Sequence, residues 1–176
     1  MSERTDSLFL ALGANLKGSF GSPDEALRRA LRELSDAGLT LLAASSTYST
    51  TPMGPGRQAP YLNAVVLVRA RVAPATLLRL IKRIERRAGR RLGARWGPRT
   101  LDIDLLDFGG RQLGWPPRRR RPGRLILPHP EMHARAFVLI PLLEVDPHWH
   151  HPTLAVSGRA LLARLPAANR RGVQLA

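Results

Sequence analysis

Two aspartates separated by one residue, Asp102 and Asp104, interrupt an otherwise apolar run from Leu101 to Leu106. In a strand, residues two apart share a face, so both carboxylates project the same way about 7 Å apart while Leu101, Ile103 and Leu105 turn into the core. At an effective dielectric near 20, such a pair repels by roughly 2 kcal/mol. A hard dication bound through carboxylate oxygen offsets that repulsion and still leaves positions for phosphate oxygens and water. The pair therefore has the character of a metal platform for phosphoryl transfer. An isolated Asp-x-Asp is more often a solvated strand face, and here it is the preceding residues that shift the balance. Gly97-Pro98 makes a tight lead-in and sets Arg99 beside the carboxylates, where a guanidinium fork can hold a phosphate. Trp96 adds a flat ring able to stack on a heterocycle, although a Trp is more often simply core.

The elements that must position these groups are readable from periodicity. Leu8 to Leu12 is a short apolar strand ending at Gly13. Ser22, Pro23, Asp24 and Glu25 form a helix start, and Leu27, Ala30, Leu31 and Leu34 make its apolar stripe before Gly38. Leu39 to Tyr48 and Leu62 to Val68 read as an antiparallel pair of strands around a Pro/Gly-rich loop, Thr51 to Pro60. Pro74 to Ala88 is a second helix with Leu77, Leu78, Ile81 and Ile84 inward, ended by Gly89, and Leu101 to Phe108 is a further strand closed by Gly109-Gly110. Strand, helix, strand, strand, helix, strand is the order of an α+β ferredoxin-like sandwich. In such a fold helices cover one face of an antiparallel sheet and the other is free to carry an active site. Beyond Gly110 the pattern weakens, apart from a short capped helix over Ser157 to Leu165.

Composition bounds the rest. With 176 residues, 44 % of them hydrophobic, a single domain spanning 1–176 is expected. No apolar run is long enough to span a bilayer, and the N-terminal residues lack the pattern of a secretory signal, so the cytoplasm is the expected location. The absence of Cys rules out a disulfide framework and a thiolate metal site or nucleophile. The net charge of +15 predicts attraction to polyanions, whether nucleic acid, anionic lipid or a phosphate-rich small ligand.

The stretch from Arg95 to Leu106 resembles, over twelve consecutive positions, the signature of the 6-hydroxymethyl-7,8-dihydropterin pyrophosphokinase family. Leu12-Gly13-Ala14-Asn15-Leu16, Thr47 to Gly54, Tyr61-Leu62-Asn63, Ile84-Glu85 with Gly89-Arg90, and Leu127-Pro128-His129 through Arg135-Ala136-Phe137 agree in the same order. The resemblance implies a ferredoxin-like fold and a Mg-dependent diphosphotransferase of folate biosynthesis, which moves pyrophosphate from ATP to the pterin hydroxymethyl group and releases AMP. It further implies two magnesium ions on Asp102 and Asp104, with Arg90 and Arg99 neutralising the transferring group. The pterin would be held by Thr50, Met53, Gly54, Tyr61, Asn63, Trp96 and Phe137. ATP would be held by Lys82, Glu85, Trp96, Arg99, Leu105, Arg124, His129 and Arg135. The partners implied are these small molecules, with no membrane, no nucleic acid and a monomeric chain.

The sequence departs from the family pattern at Lys82, where Gln is common, at Pro130, where an aromatic or other side chain is expected, at Thr51 in place of Pro, and at Leu92 in place of a second loop arginine. The basic stretch Trp115 to Pro122 is longer than the family's connection and reads as a solvated loop. A competing class, a ferredoxin-like nucleic-acid-binding module, is suggested by the charge and by Arg118 to Arg121. Such modules display aromatic residues on the open sheet face, and these strands have no such pattern.

Overall fold

Strand β1 (Asp6–Ala14) lies inside an antiparallel sheet, with β5 (Asp102–Phe108) on one side and β4 (Tyr61–Ala70) on the other. The computed structural model describes residues 6–52, 58–90, 97–115 and 125–176. Among these, β3 (Tyr48–Thr50) continues the sheet beyond β4 and β6 (Val173–Leu175) closes it beyond β3, while β2 (Thr40–Ala44) pairs with another part of β4. The expected run from Leu39 to Tyr48 is thus two strands. Residues 45–47 step between them, with Ser45 exchanging bonds with Val65 and Ser46 held by the Glu144 carboxylate.

Helices α1 (Pro23–Asp36) and α2 (Pro74–Arg87) cover one face. The start of α1 is a reciprocal cap: Glu25 N donates to Ser22 Oγ at 3.3 Å and Ser22 N donates to Glu25 Oε2 at 2.7 Å. Its buried stripe, Ala26, Leu27, Ala30 and Leu34, meets Leu77, Ile81 and Ile84 of α2 and the inward side chains Leu8, Leu10, Leu12, Ile103 and Leu105 of the sheet. Both helices run from a proline at the start to a glycine just beyond the end, the arrangement that backbone sterics favour.

The expected free face is shared. Helix α3 (Ala136–Val145), preceded by a 3-10 turn (Met132–Ala134), lies against it and builds a second core from Phe9, Val65, Leu106, Val138, Leu139 and Leu142. Helix α3 is apolar on nearly every side and contains Pro141, so it has no amphipathic period to reveal it in the sequence. The capped helix expected over Ser157 to Leu165 is α4 (Gly158–Arg164), whose Leu161 packs into this second core; α5 (Ala167–Arg171) leads from it to β6. A β-bulge between β1 and β5 makes Leu106 the extra residue. Leu105 then faces the first core, while Leu106 and the Asp107 carboxylate reach the second, where Trp149 Nε1 donates to Asp107 Oδ2 at 3.0 Å. No helix among the described residues is long and apolar enough to cross a membrane.

Candidate active site

The part of the second face that α3 leaves uncovered is a cavity of about 240 Å³ over β5, β1 and β4. Its floor follows from strand register. Gly13 on β1 stands between Asp102 on β5 and Asn63 on β4, and Ala11 stands between Asp104 and Val65. A Cβ at residue 13 would approach Asn63 Oδ1 to 3.1 Å, so glycine keeps open the passage between the carboxylate and the amide. Asp102 and Asp104 both line the cavity, as period-two alternation predicts.

Asp102 is gripped from two directions. Arg99 NH1 lies 2.5 Å from its Oδ2, and Arg90 NH1 pairs with its Oδ1. Burial alone would raise the pKa of Asp102, but the two guanidinium groups outweigh it and hold the carboxyl below its ordinary value. Arg90 reaches this place because Gly89, at φ +89°, turns the chain after α2 and the Arg90 amide donates back to the Glu85 carbonyl at 3.0 Å. Asp104 is more loosely met: Arg135 NH1 is 3.6 Å and His129 Nε2 3.9 Å from its Oδ2. These separations are longer than hydrogen bonds.

Beneath this layer sits Glu85, only 2 % exposed. It accepts from Ile103 N at 2.9 Å and from Lys82 Nζ at 2.7 Å, and it pairs with Arg90. Burial raises its pKa, opposed by Lys82 and Arg90. Glu85 therefore ties α2, β5 and Arg90 together from below and does not line the cavity. Leu105 does not line it either, because its side chain belongs to the first core. Lys82, Arg90, Arg99, His129 and Arg135 do line it.

At the other end are Thr50, Tyr61, Asn63 and Phe137. Asn63 Nδ2 donates to Thr50 Oγ1 at 2.8 Å in a buried bond across the β3–β4 pair, and Tyr61 OH donates to Gly97 O at 2.7 Å. The proposed site residues Met53, Gly54, Trp96 and Arg124, along with Leu92 and Arg118 to Arg121, lie outside the described residues.

Asn15 carries no chemistry legible from its own neighbourhood, yet it joins both ends. Its Oδ1 accepts from Arg99 N at 2.8 Å, its Nδ2 donates to Ala59 O at 3.0 Å, and its own backbone N donates to Arg99 O at 3.0 Å. The side chain is 5 % exposed. The signal available beforehand was its place in Leu12 to Leu16, a matching stretch with no chemistry attached. Asn15→Ala should release Arg99 and residue 59 together and lower kcat/KM about a hundredfold through lost positioning. Steady-state kinetics within twofold of wild type would show that this clamp is dispensable.

Comparison with known proteins places the geometry. Residues 9–147 match the family model for 7,8-dihydro-6-hydroxymethylpterin-pyrophosphokinase. The 2-amino-4-hydroxy-6-hydroxymethyldihydropteridine pyrophosphokinase of Pseudomonas aeruginosa is 38 % identical over 168 residues, covering 95 % of this chain and 94 % of the relative. That of Mycobacterium tuberculosis is 39 % identical over 174 residues, covering 94 % and 87 %. Among solved structures, wild-type Plasmodium falciparum HPPK-DHPS superposes with a TM-score of 0.66 at 16 % identity; the match covers 92 % of this chain and 45 % of that longer chain, and it speaks to the fold alone. Since the family match includes both aspartates, and relatives of almost the same length share more than a third of their residues with it, the chain belongs to the 7,8-dihydro-6-hydroxymethylpterin-pyrophosphokinase family.

Proposed function

We propose that ATP, with magnesium on Asp102 and Asp104, and the hydroxymethyl dihydropterin meet in the cavity over β5. The family's reaction, which this chain shares, is pyrophosphate transfer to 6-hydroxymethyl-7,8-dihydropterin in folate biosynthesis. The observation that carries the site assignment is the row Asp102, Gly13, Asn63, which sets a carboxylate with paired arginines at one end of an open floor and a buried amide at the other. We take residues 1–176 as one catalytic unit.

The donor set fits magnesium. Two carboxylates share a face, and among the described residues there is no cluster of three or more acidic or His side chains that would form an all-protein cage. Magnesium suits one or two carboxylates completed by phosphate and water. Bound there, it would supply neutralisation of charge on the phosphate oxygens, with two ions expected.

The chain's own residues do the rest. Arg90, Arg99 and Arg135, which pair with carboxylates in this structure, turn their guanidinium groups to phosphate oxygens when nucleotide is present. Lys82 adds a further cation on the rigid face of α2, at the position where Gln is common. Asn63 offers both a donor and an acceptor to the pyrimidinone edge of the pterin, and Tyr61 and Phe137 flank its ring. The hydroxyl oxygen of the pterin bonds to the β-phosphorus, the bond from that phosphorus to the α,β-bridging oxygen breaks, AMP leaves and the hydroxyl proton passes to water. Such a transfer needs positioning and charge stabilisation more than a strong base.

The nucleic-acid-binding alternative is not favoured. The sheet face it would use carries α3 and the active-site cavity. The test of the main reading is incubation with ATP, magnesium and the hydroxymethyl dihydropterin. AMP and pyrophosphorylated pterin are expected in equal amounts, with loss of turnover on chelation. A folded protein that forms no AMP would refute the proposal.

A further inference from the structure

The contacts of Arg135 and His129 with Asp104, at 3.6 and 3.9 Å, are too long to hold those side chains in place. Their nearer partners belong to the 3-10 turn and its flanks: Arg135 pairs with Glu131 and lies over the Phe137 ring at 5.7 Å, and His129 Nδ1 accepts from Glu131 N at 3.2 Å. The turn itself packs through Met132 into the second core and through His133 against rings outside the cavity. His133, within the turn, has its ring centroid 5.8 Å from that of His151 in a T-shaped contact. Trp149 follows at 5.7 Å from His151 and is bonded through Nε1 to Asp107, three residues beyond Asp104 on β5. Trp115 packs against both imidazoles, at 6.2 Å from His133 and 5.5 Å from His151. A row of rings thus connects the strand that holds the aspartates to the turn that holds Arg135. Trp149 and His151 lie beyond residues 9–147, the part of the chain that the family model matches.

His151 is the fixed member of this row. It is 1 % exposed, and its Nδ1 accepts from Thr153 N and Leu154 N, both at 3.3 Å. Two amide donors aimed at Nδ1 leave Nε2 to carry the ring hydrogen. Burial, with His133 nearby, lowers its pKa to about 4, so the ring is uncharged at neutral pH. Nδ1 thus holds the 151–154 turn and fixes the ring, while His151 Nε2 and His133 Nδ1 are both buried without a hydrogen-bond partner among the described residues.

We infer that His151 is a positioning residue for the nucleotide end of the cavity: through His133 it sets the height of the 132–134 turn, and thereby where Arg135 stands over Asp104. This rests on the proposed role of Arg135 at the phosphates. Helix α3, which carries Phe137, is anchored separately on the sheet by Val138, Leu139 and Leu142. Phe137 touches Arg135 only through the face of its ring, at 5.7 Å, so the pterin end should respond less than the nucleotide end.

The test is a double-mutant cycle with Arg135, read as KM for each substrate and kcat. His151→Phe keeps a ring but loses the acceptor. It should raise KM for ATP about five- to tenfold while changing KM for the pterin by less than about twofold. On an Arg135→Ala background the same substitution should change KM for ATP by less than about twofold, because the residue it acts through is gone. Additive effects, an equal rise in both KM values, or no change would overturn the inference. Should His151→Phe fail to fold by circular dichroism, Trp149→Phe, which removes only the bond to Asp107 at the far end of the row, carries the same cycle and the same criteria. Wild-type protein that forms no AMP would instead reject the functional reading itself, and this inference with it.

Discussion

Asp102→Ala is expected to lower kcat by at least about a thousandfold, a loss comparable to removing a central electrostatic group from an active site. The substitution takes away half of the oxygen donor set proposed for magnesium and leaves Arg90 and Arg99 facing each other without the carboxylate that separates their charges. Binding of nucleotide should weaken as well, because the two guanidinium groups lose the anchor that holds them at the cavity wall. Asp104→Ala should lower turnover to a similar degree with less effect on stability, since Arg135 and His129 stand at 3.6 and 3.9 Å from it and make no hydrogen bond to it at those distances. AMP release at saturating substrates measures both. Near-wild-type turnover in either variant would mean that the metal is held elsewhere.

The second large effect is on folding. Glu85→Ala should destabilise the protein by about 3–5 kcal/mol, the cost of removing one partner from a buried ion pair. Glu85 is 2 % exposed, and without it the Ile103 amide loses its acceptor while Lys82 and Arg90 are left with no partner beneath them. Glu85→Gln keeps an oxygen for Ile103 N and should recover part of the loss. Arg90 would be less firmly held in both variants, so turnover should fall even where the fold is retained. Urea denaturation monitored by circular dichroism reads the first effect; a loss below about 1 kcal/mol for Glu85→Ala would show that the carboxylate is not the tie the structure presents.

Much of this site was legible because its parts are local. The shared face of Asp102 and Asp104 follows from strand alternation, and the helix starts at Ser22 and Pro74 follow from capping and proline chemistry. Of the residues that the family resemblance implied, Thr50, Tyr61, Asn63, Lys82, Arg90, Arg99, His129, Arg135 and Phe137 line one cavity with the aspartates. Glu85 and Leu105 do not, and for Leu105 the alternation already said so, because it shares the core-facing side with Ile103. Helix α3 escaped notice because a segment that is apolar on nearly every side has no period to detect. The division of Leu39 to Tyr48 into β2 and β3 escaped because it depends on two places along β4 where the pairing resumes.

By itself the amino-acid sequence determined which side chains alternate inward and outward along β1, β4, β5, α1 and α2, about where those elements start and stop, and which run of residues carries the family's signature. Backbone geometry with periods of 2 and 3.6 settles such things within a few residues. Only the tertiary structure decided that Gly13 would lie between Asp102 and Asn63, that Asn15 would clamp Arg99 to residue 59, that Glu85 would stand under the site, and that the His151 ring would lie against His133 in the turn before Arg135. Each of these depends on strand register or on packing between segments tens of residues apart, and a shift of one residue in strand register would turn Asp102 or Asn63 to the opposite face.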